Sequence, residues 1–310
     1  MNHKRQFLIL FLLLAVSTGL LAGCRAFSAE ASASTDPAVQ ASAYIQNKGS
    51  DTIVNLALAW AERYQQKYPE VRLSVTGGGS GTGLASLING TVDIANASRA
   101  IKQEEIDEAR AQGIDPVETI IARDAIAVIV NPSNPVNQLT LEQVAQIYKG
   151  EINNWSELGG EDRPIVRLSR ETNSGTHVYF LEQVIRLGDK ENKEIFSANT
   201  LLLPSSEGII SEVRDNPNAI GYDGLGYVTD EVKVLGIARE KGGEYVLPSV
   251  ETVNSNTYAI SRDLYMYSRA DAKQPVLDYL NWILSPEAQE IVGEQGFVPV
   301  QNHSSNTGRP

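Results

Sequence analysis

The sequence is almost without cysteine. Cys24 is the only one in 310 residues, which excludes a disulfide framework, an iron–sulfur cluster and any cysteine-based zinc site. Histidine is nearly as scarce, with three, and no HExxH pair is present. Positive charge is in deficit: 26 Lys+Arg face 38 Asp+Glu, a formal charge of −12. A nucleic-acid backbone needs a basic footprint, so nucleic acid is not an expected partner. By the same arithmetic no anionic ligand is expected at all. What is present is ordinary: 42% apolar and 21% charged residues describe a globular protein. At roughly 100–200 residues per domain, the chain has material for two.

The first residues form a separate unit. His3, Lys4 and Arg5 precede an apolar run from Phe7 to Ala22, interrupted only by Ser17, Thr18 and Gly19. That run falls short of the roughly 20 residues of a membrane-crossing helix and fits a signal-peptide core. It ends Leu21-Ala22-Gly23-Cys24, which resembles the lipobox of bacterial lipoproteins. The resemblance implies cleavage before Cys24 and acylation of its thiol, with palmitate-like chains; an ordinary secretory signal with an incidental cysteine is the competing reading. Each buried CH₂ of an acyl chain contributes about 0.8 kcal/mol, so more than one chain makes a stable anchor. Loss of residues 1–23 removes Lys4 and Arg5 and no acid, leaving 24 basic against 38 acidic residues, or −14. Ala26 to Ala43 holds seven Ala and four Ser and reads as a coil-like tether.

From there strand and helix patterns alternate. Val71–Val75, Val92–Ala95, Thr119–Val130, Ile165–Leu168, Ala219–Gly221 and Val232–Leu235 read as buried strands. Ile53, Leu56, Ala57, Trp60 and Tyr64 recur at helical spacing. So do Leu141, Val144, Ile147 and Tyr148; Val178, Leu181, Val184 and Ile185; and Val276, Leu277, Leu280, Ile283 and Leu284. This alternation predicts an α/β fold with mostly parallel sheets. Thr119–Val130 is too long for one ordinary strand and predicts a strand passing from one domain into the next. Glu251–Ile260 is a second candidate crossing.

Three segments place glycine and hydroxyl residues where a helix leaves its first N–H groups unpaired. They are Gly49-Ser50-Asp51-Thr52, Gly77-Gly78-Gly79-Ser80-Gly81-Thr82-Gly83 and Asn173-Ser174-Gly175-Thr176. Each could be plain capping. Three at one edge of an α/β sheet point to a small anion, because helix N-termini carry partial positive charge. A nucleotide does not fit: no Lys lies between Lys67 and Lys102 for a Walker loop, and Thr82 stands where GxGxxG needs its last glycine. Arg170, four residues before Ser174, could grip an oxyanion in a bidentate manner or pair with Glu171 or Glu182. Ser174 and His177 lack an evident third member for nucleophilic catalysis, and His177 reads as a partly exposed helix residue.

In these residues the chain resembles the phosphate-binding substrate receptors of ABC phosphate importers, from about Gly49 to Val300. Besides the three segments above, the resemblance rests on Asp93-Ile94-Ala95-Asn96-Ala97-Ser98-Arg99, Ile152-Asn153-Asn154-Trp155, Ala219-Ile220-Gly221-Tyr222 and Gly296-Phe297-Val298-Pro299. It implies the two-lobed type II periplasmic binding protein fold with two interdomain crossings. The expected organisation is a signal peptide over 1–23, a tether over 24–43, one lobe from 44–124 plus 256–303, a second over 125–255, and a disordered tail over 304–310. The resemblance further implies a phosphate site drawn from Ser50, Asp51, Thr52, Ser80, Gly81, Ser98, Arg99, Arg170, Glu171, Ser174, Gly175 and Thr176, with no cofactor, no metal and no catalytic residue. It implies ABC permease subunits as partners, and a monomer held outside the cytoplasmic membrane by lipid on Cys24. One position departs from the family: where its long-studied members have a carboxylate that accepts the proton of hydrogen phosphate, this chain has Arg99. Asp51 or Glu171 is the expected substitute. A receptor for sulfate, molybdate or another tetrahedral oxyanion, a non-transport phosphate sensor, and a secreted phosphatase with a Ser or Thr nucleophile are the alternatives.

Overall fold

A computed structural model describes residues 43–300. The leader, Cys24, the tether up to residue 42 and the tail over 304–310 lie outside the described residues. No described helix is long and apolar enough to cross a membrane.

A nine-stranded sheet organises the described chain. Its order is β2 (Val71–Thr76), β1 (Ala43–Gly49), β3 (Ile94–Ala97), β11 (Ser261–Arg269), β4 (Pro116–Val130), β8 (Ala219–Gly224), β6 (Val166–Arg170) and β7 (Leu201–Leu203), with β9 (Lys233–Val234) also paired to β4. A separate pair joins β5 (Gln138–Thr140) to β10 (Gly236–Ala238). Five pairings are parallel and four antiparallel, the antiparallel ones all made by β4 and β11.

β4 is the long strand expected from the sequence, and it changes partner midway. Pro116–Ala125 pairs with β11, whereas Ile126–Val130 pairs with β8. Its second half alternates between two cores: Ile126, Val128 and Val130 face one, Ala127 and Ile129 the other. A strand buried on both faces reads as a continuous apolar run, which is why TIIARDAIAVIV was legible. Another core, built from Ile45, Ile53, Leu56, Trp60, Leu264, Met266 and Tyr279, serves the half containing β1 and β11.

The segment Glu251–Ile260, the second candidate crossing, opens in the short helix α7 (Val250–Asn254), and the chain then passes through a link into β11. β11 was hidden because its inward positions include Arg262 among Leu264 and Met266. Ala43 opens β1 and does not belong to the tether. In addition, Leu277 is exposed on α8 (Gln274–Ile283), whose buried side is Val276, Tyr279, Leu280 and Ile283.

Three helices position the site. α1 (Asp51–Lys67) follows β1 and buries Ile53, Leu56, Ala57, Trp60 and Tyr64. α2 (Ser80–Ile88) follows β2 and buries Leu84, Leu87 and Ile88. α5 (Gly175–Phe180) follows β6 and runs on as a π-helical turn over Leu181–Ile185. All three begin beyond the carboxyl ends of their parallel strands, which gathers their N-termini at one edge.

Candidate functional site

The three helix starts meet. At the first, Ser50 precedes α1 but its side chain makes no capping bond; its hydroxyl donates to Ser98 Oγ at 2.9 Å. At the second, Ser80 opens α2 after Gly79, again with no side-chain cap. Ser80 Oγ accepts the Ser98 N–H at 3.0 Å and lies 3.3 Å from Ser98 Oγ. At the third, Ser174 is a plain cap, its Oγ accepting the Thr176 N–H at 3.2 Å. Thr176 Oγ1 lies 2.9 Å from Thr52 Oγ1 across the junction between the two sides. Gly175 closes the group: a Cβ there would stand 2.3 Å from Ser80 Oγ and 2.6 Å from Ser98 Oγ. Ser50, Thr52, Ser80, Ser98 and Thr176 are all buried. The result is a compact set of hydroxyls at three helix starts, on segments from both sides of the β4 changeover.

Arg170 lies beside this set. Its side chain is 1% exposed. One Nη donates to Asp51 Oδ2 at 2.9 Å and to the Pro204 carbonyl at 2.9 Å, and the other donates to Ser206 Oγ at 2.7 Å. Asp223 Oδ2 approaches it at 3.6 Å. Arg170 Nε and Asp223 Oδ2 are both buried without a hydrogen-bond partner. Burial pushes the Asp223 carboxyl above the ordinary range, while Arg170, the Gly224 amide and Ser206 oppose that rise. Asp51 is shared between three elements: Oδ1 accepts the Gly78 N–H at 2.9 Å, Oδ2 takes Arg170, and its carbonyl accepts the Tyr227 hydroxyl at 2.6 Å.

Three expected residues do not join the cluster. Arg99 is committed to Glu105 by two hydrogen bonds, at 2.6 and 2.8 Å, and also donates to the Ala100 carbonyl. Burial alone would raise the Glu105 carboxyl, but the hydrogen bonds from Arg99 and the Lys102 amide hold it below its ordinary value. Glu171 is exposed to solvent; its N–H donates to the Leu203 carbonyl at 3.1 Å and its carbonyl accepts the Ser174 N–H at 2.9 Å. The Gly81 N–H points at the Asn173 carbonyl at 2.9 Å. Glu171 stays in open water, which costs less than burial of an unpaired charge, whereas Arg99 is buried and has its charge met by Glu105, six residues away.

His177 differs as well: it is buried, not partly exposed. Its Nδ1 faces Ser169 Oγ at 3.0 Å, and that oxygen lies 2.6 Å from the Tyr222 hydroxyl. Burial lowers its pKa. It therefore turns from α5 toward the sheet, where it meets Ser169 of β6 and, through it, Tyr222 of β8. Among the described residues no cluster of His, Cys, Asp and Glu could hold a metal ion.

Sequence reading missed Asp124, Arg262, Ser206, Asp223 and Tyr227. Asp124 and Arg262 are cross-strand partners on β4 and β11, bonded at 2.8 and 3.2 Å. Arg262 also donates to the Ser98 carbonyl at 2.9 Å, and Asp124 Oδ1 accepts the Leu225 N–H at 3.1 Å. Each stands beside another charge, Asp124 after Arg123 and Arg262 before Asp263, so nothing local marked the buried pair.

Comparison with known proteins agrees with this architecture. The pattern of the PBP superfamily domain matches residues 32–287. The phosphate-binding protein PstS of Pseudomonas aeruginosa is 31% identical, covering 93% of this chain and 94% of its own. The PstS of Bacillus subtilis is 29% identical over 96% and 95%. Among solved structures, a substrate-binding protein assigned to phosphate ABC transport in Clostridium perfringens, determined with bound phosphate, is 34% identical. It superposes with a TM-score of 0.74, covering 83% of this chain and all of its own.

Proposed function

The chain belongs to the PBP superfamily and, within it, to the family of the PstS phosphate-binding proteins, and from that membership we propose that it is the receptor that captures inorganic phosphate for an ABC importer. It is a receptor and not an enzyme, and it works outside the cytoplasm.

The observation that carries the reading is the meeting of Ser50, Thr52, Ser80, Ser98, Gly175 and Thr176 beside Arg170. Hydroxyls and first-turn amides are donors without counter-charge, and the buried Arg170 guanidinium adds charged donors whose charge is shared with Asp51 and Asp223. Charge-assisted hydrogen bonds contribute about 1.5–3 kcal/mol each. A micromolar complex needs only about 8 kcal/mol net, so several such bonds tolerate the cost of desolvation and closure. The hydroxyls now bond one another, so the anion enters by exchanging those bonds. The contact at Gly175 leaves no room for it unless the lobes part. The lobes are residues 44–124 with 256–303, and 125–255. They hinge where β4 changes partner and where the chain returns before β11.

Asp51 discriminates phosphate from sulfate. A carboxylate offers about four lone-pair sites, and Gly78 and Arg170 occupy two of those on Asp51. The remaining lone pairs accept the O–H of hydrogen phosphate, whereas sulfate brings only repulsion. Ser174 acts by capping α5 and so fixing its amides. Cys24 carries the acyl anchor, the Ala/Ser segment tethers a monomeric body to the membrane, and permease subunits receive the ligand.

Titration calorimetry on the full-length chain tests both parts. Phosphate is expected to bind at micromolar strength or tighter, with sulfate weaker by about a hundredfold or more. Asp51→Asn should shrink that gap to about tenfold or less. No heat from phosphate at millimolar concentration would remove the receptor reading; an undiminished gap in the variant would remove the role of Asp51 alone.

A further inference from the structure

We infer that Asn173 is a clasp between the lobes that sets how long a captured anion stays, and that the glycine tract over 77–83 is shaped to receive it. The ligand in this inference rests on the receptor reading; the clasp itself does not. Asn173 lies in the loop between β6 and α5 and is exposed. None of its hydrogen bonds goes to the hydroxyl cluster; each crosses to the glycine tract. Its carbonyl accepts the Gly81 N–H at 2.9 Å. Its Nδ2 donates to the Gly78 carbonyl at 3.0 Å and reaches Thr82 Oγ1 at 3.4 Å.

The tract is cut to fit. A Cβ at Gly79 would stand 2.8 Å from the Asn173 carbonyl, and one at Gly81 would stand 3.3 Å from it. Gly79 also has φ +87°, where a side chain is strained. These glycines therefore admit the opposing lobe's backbone. The Gly81 amide is one of the unpaired first-turn donors of α2, and Asn173 caps it from the other lobe. Opening the lobes breaks that cap together with the side-chain bonds. Bonds made only after closure slow release and leave capture unchanged.

The test uses full-length Asn173→Ala and the near-isosteric Asn173→Asp, which keeps the shape but has no N–H to donate. A chase of radiolabelled phosphate should show release about fivefold faster in both variants, with association within about twofold of the parent and an unchanged thermal midpoint of the unliganded protein. Hydrogen exchange without phosphate should be faster at amides 77–84 in both variants and unchanged in β1. Unchanged release, unchanged exchange over 77–84, or parental behaviour of Asn173→Asp would each overturn the clasp. Because the exchange measurement needs no ligand, its outcome stands even where phosphate fails to bind the parent chain.

Discussion

The missing side chain of Gly175 lets the two lobes touch at the hydroxyl cluster. An alanine methyl there would fall inside contact distance of both Ser80 Oγ and Ser98 Oγ, yet alanine suits a helix start at least as well as glycine. Gly175→Ala should therefore leave the thermal midpoint of the unliganded chain nearly unchanged while weakening phosphate about tenfold or more. Calorimetry beside a melting curve reads both, and parental affinity would contradict the contact. At this scale the sequence was half legible. Glycine and hydroxyl at three helix starts marked the right residues, but capping and ligand binding demand the same types. Only geometry separated Ser174, which caps, from Ser50 and Ser80, which do not. Arg99 and Glu171 had suitable chemistry and position in the chain; their partners, Glu105 and solvent, were decided by folding.

Between elements, the decisive pairing is that of β4 with β11. Asp124 and Arg262 face each other across it, fully desolvated, and they tie Ser98 on one side to Leu225 on the other. Burial pushes the Asp124 carboxyl up, and the Arg262 guanidinium draws it back. Removing one member of a buried pair leaves an uncompensated charge, so Arg262→Ala should cost about 3–5 kcal/mol in a denaturant titration. The double variant Asp124→Leu with Arg262→Met should recover most of that loss, since apolar replacement of both partners removes the desolvation burden. A double variant no more stable than Arg262→Ala would show that the pair contributes through more than its charges. The length of β4 and the unbroken apolar run Ala125–Val130 that ends it made its crossing readable, despite Arg123 and Asp124 at its middle. β11 was not readable: its alternation includes a buried arginine whose partner is more than a hundred residues distant in sequence.

For the whole molecule, the charge of −12 and a proposed anionic ligand are compatible because they act over different distances. Donors in the cluster act within a few ångströms, while the acidic surface is felt across a Debye length of about 30 Å at 0.01 M salt and about 8 Å at 0.15 M. Phosphate must approach through a repelling field, so its association rate should rise as salt increases over that range. Stopped-flow measurement at several ionic strengths checks this, and a falling rate would mean that local positive potential at the cleft governs capture.

By itself the sequence determined the alternation of strand and helix, the long crossing strand and the chemical class of the residues at three helix starts. All of these are local properties, set by periodicity and by what glycine, serine and threonine can do beside their own backbone. Tertiary structure decided which donors are free, which carboxylate meets Arg170 and what fills the glycine tract. Those outcomes depend on segments far apart in the chain arriving at one edge, and no local pattern encodes the arrival. The opening deficit of positive charge excluded long polyanions; for a small one, neutral donors beside the buried Arg170, itself held by Asp51 and Asp223, are enough.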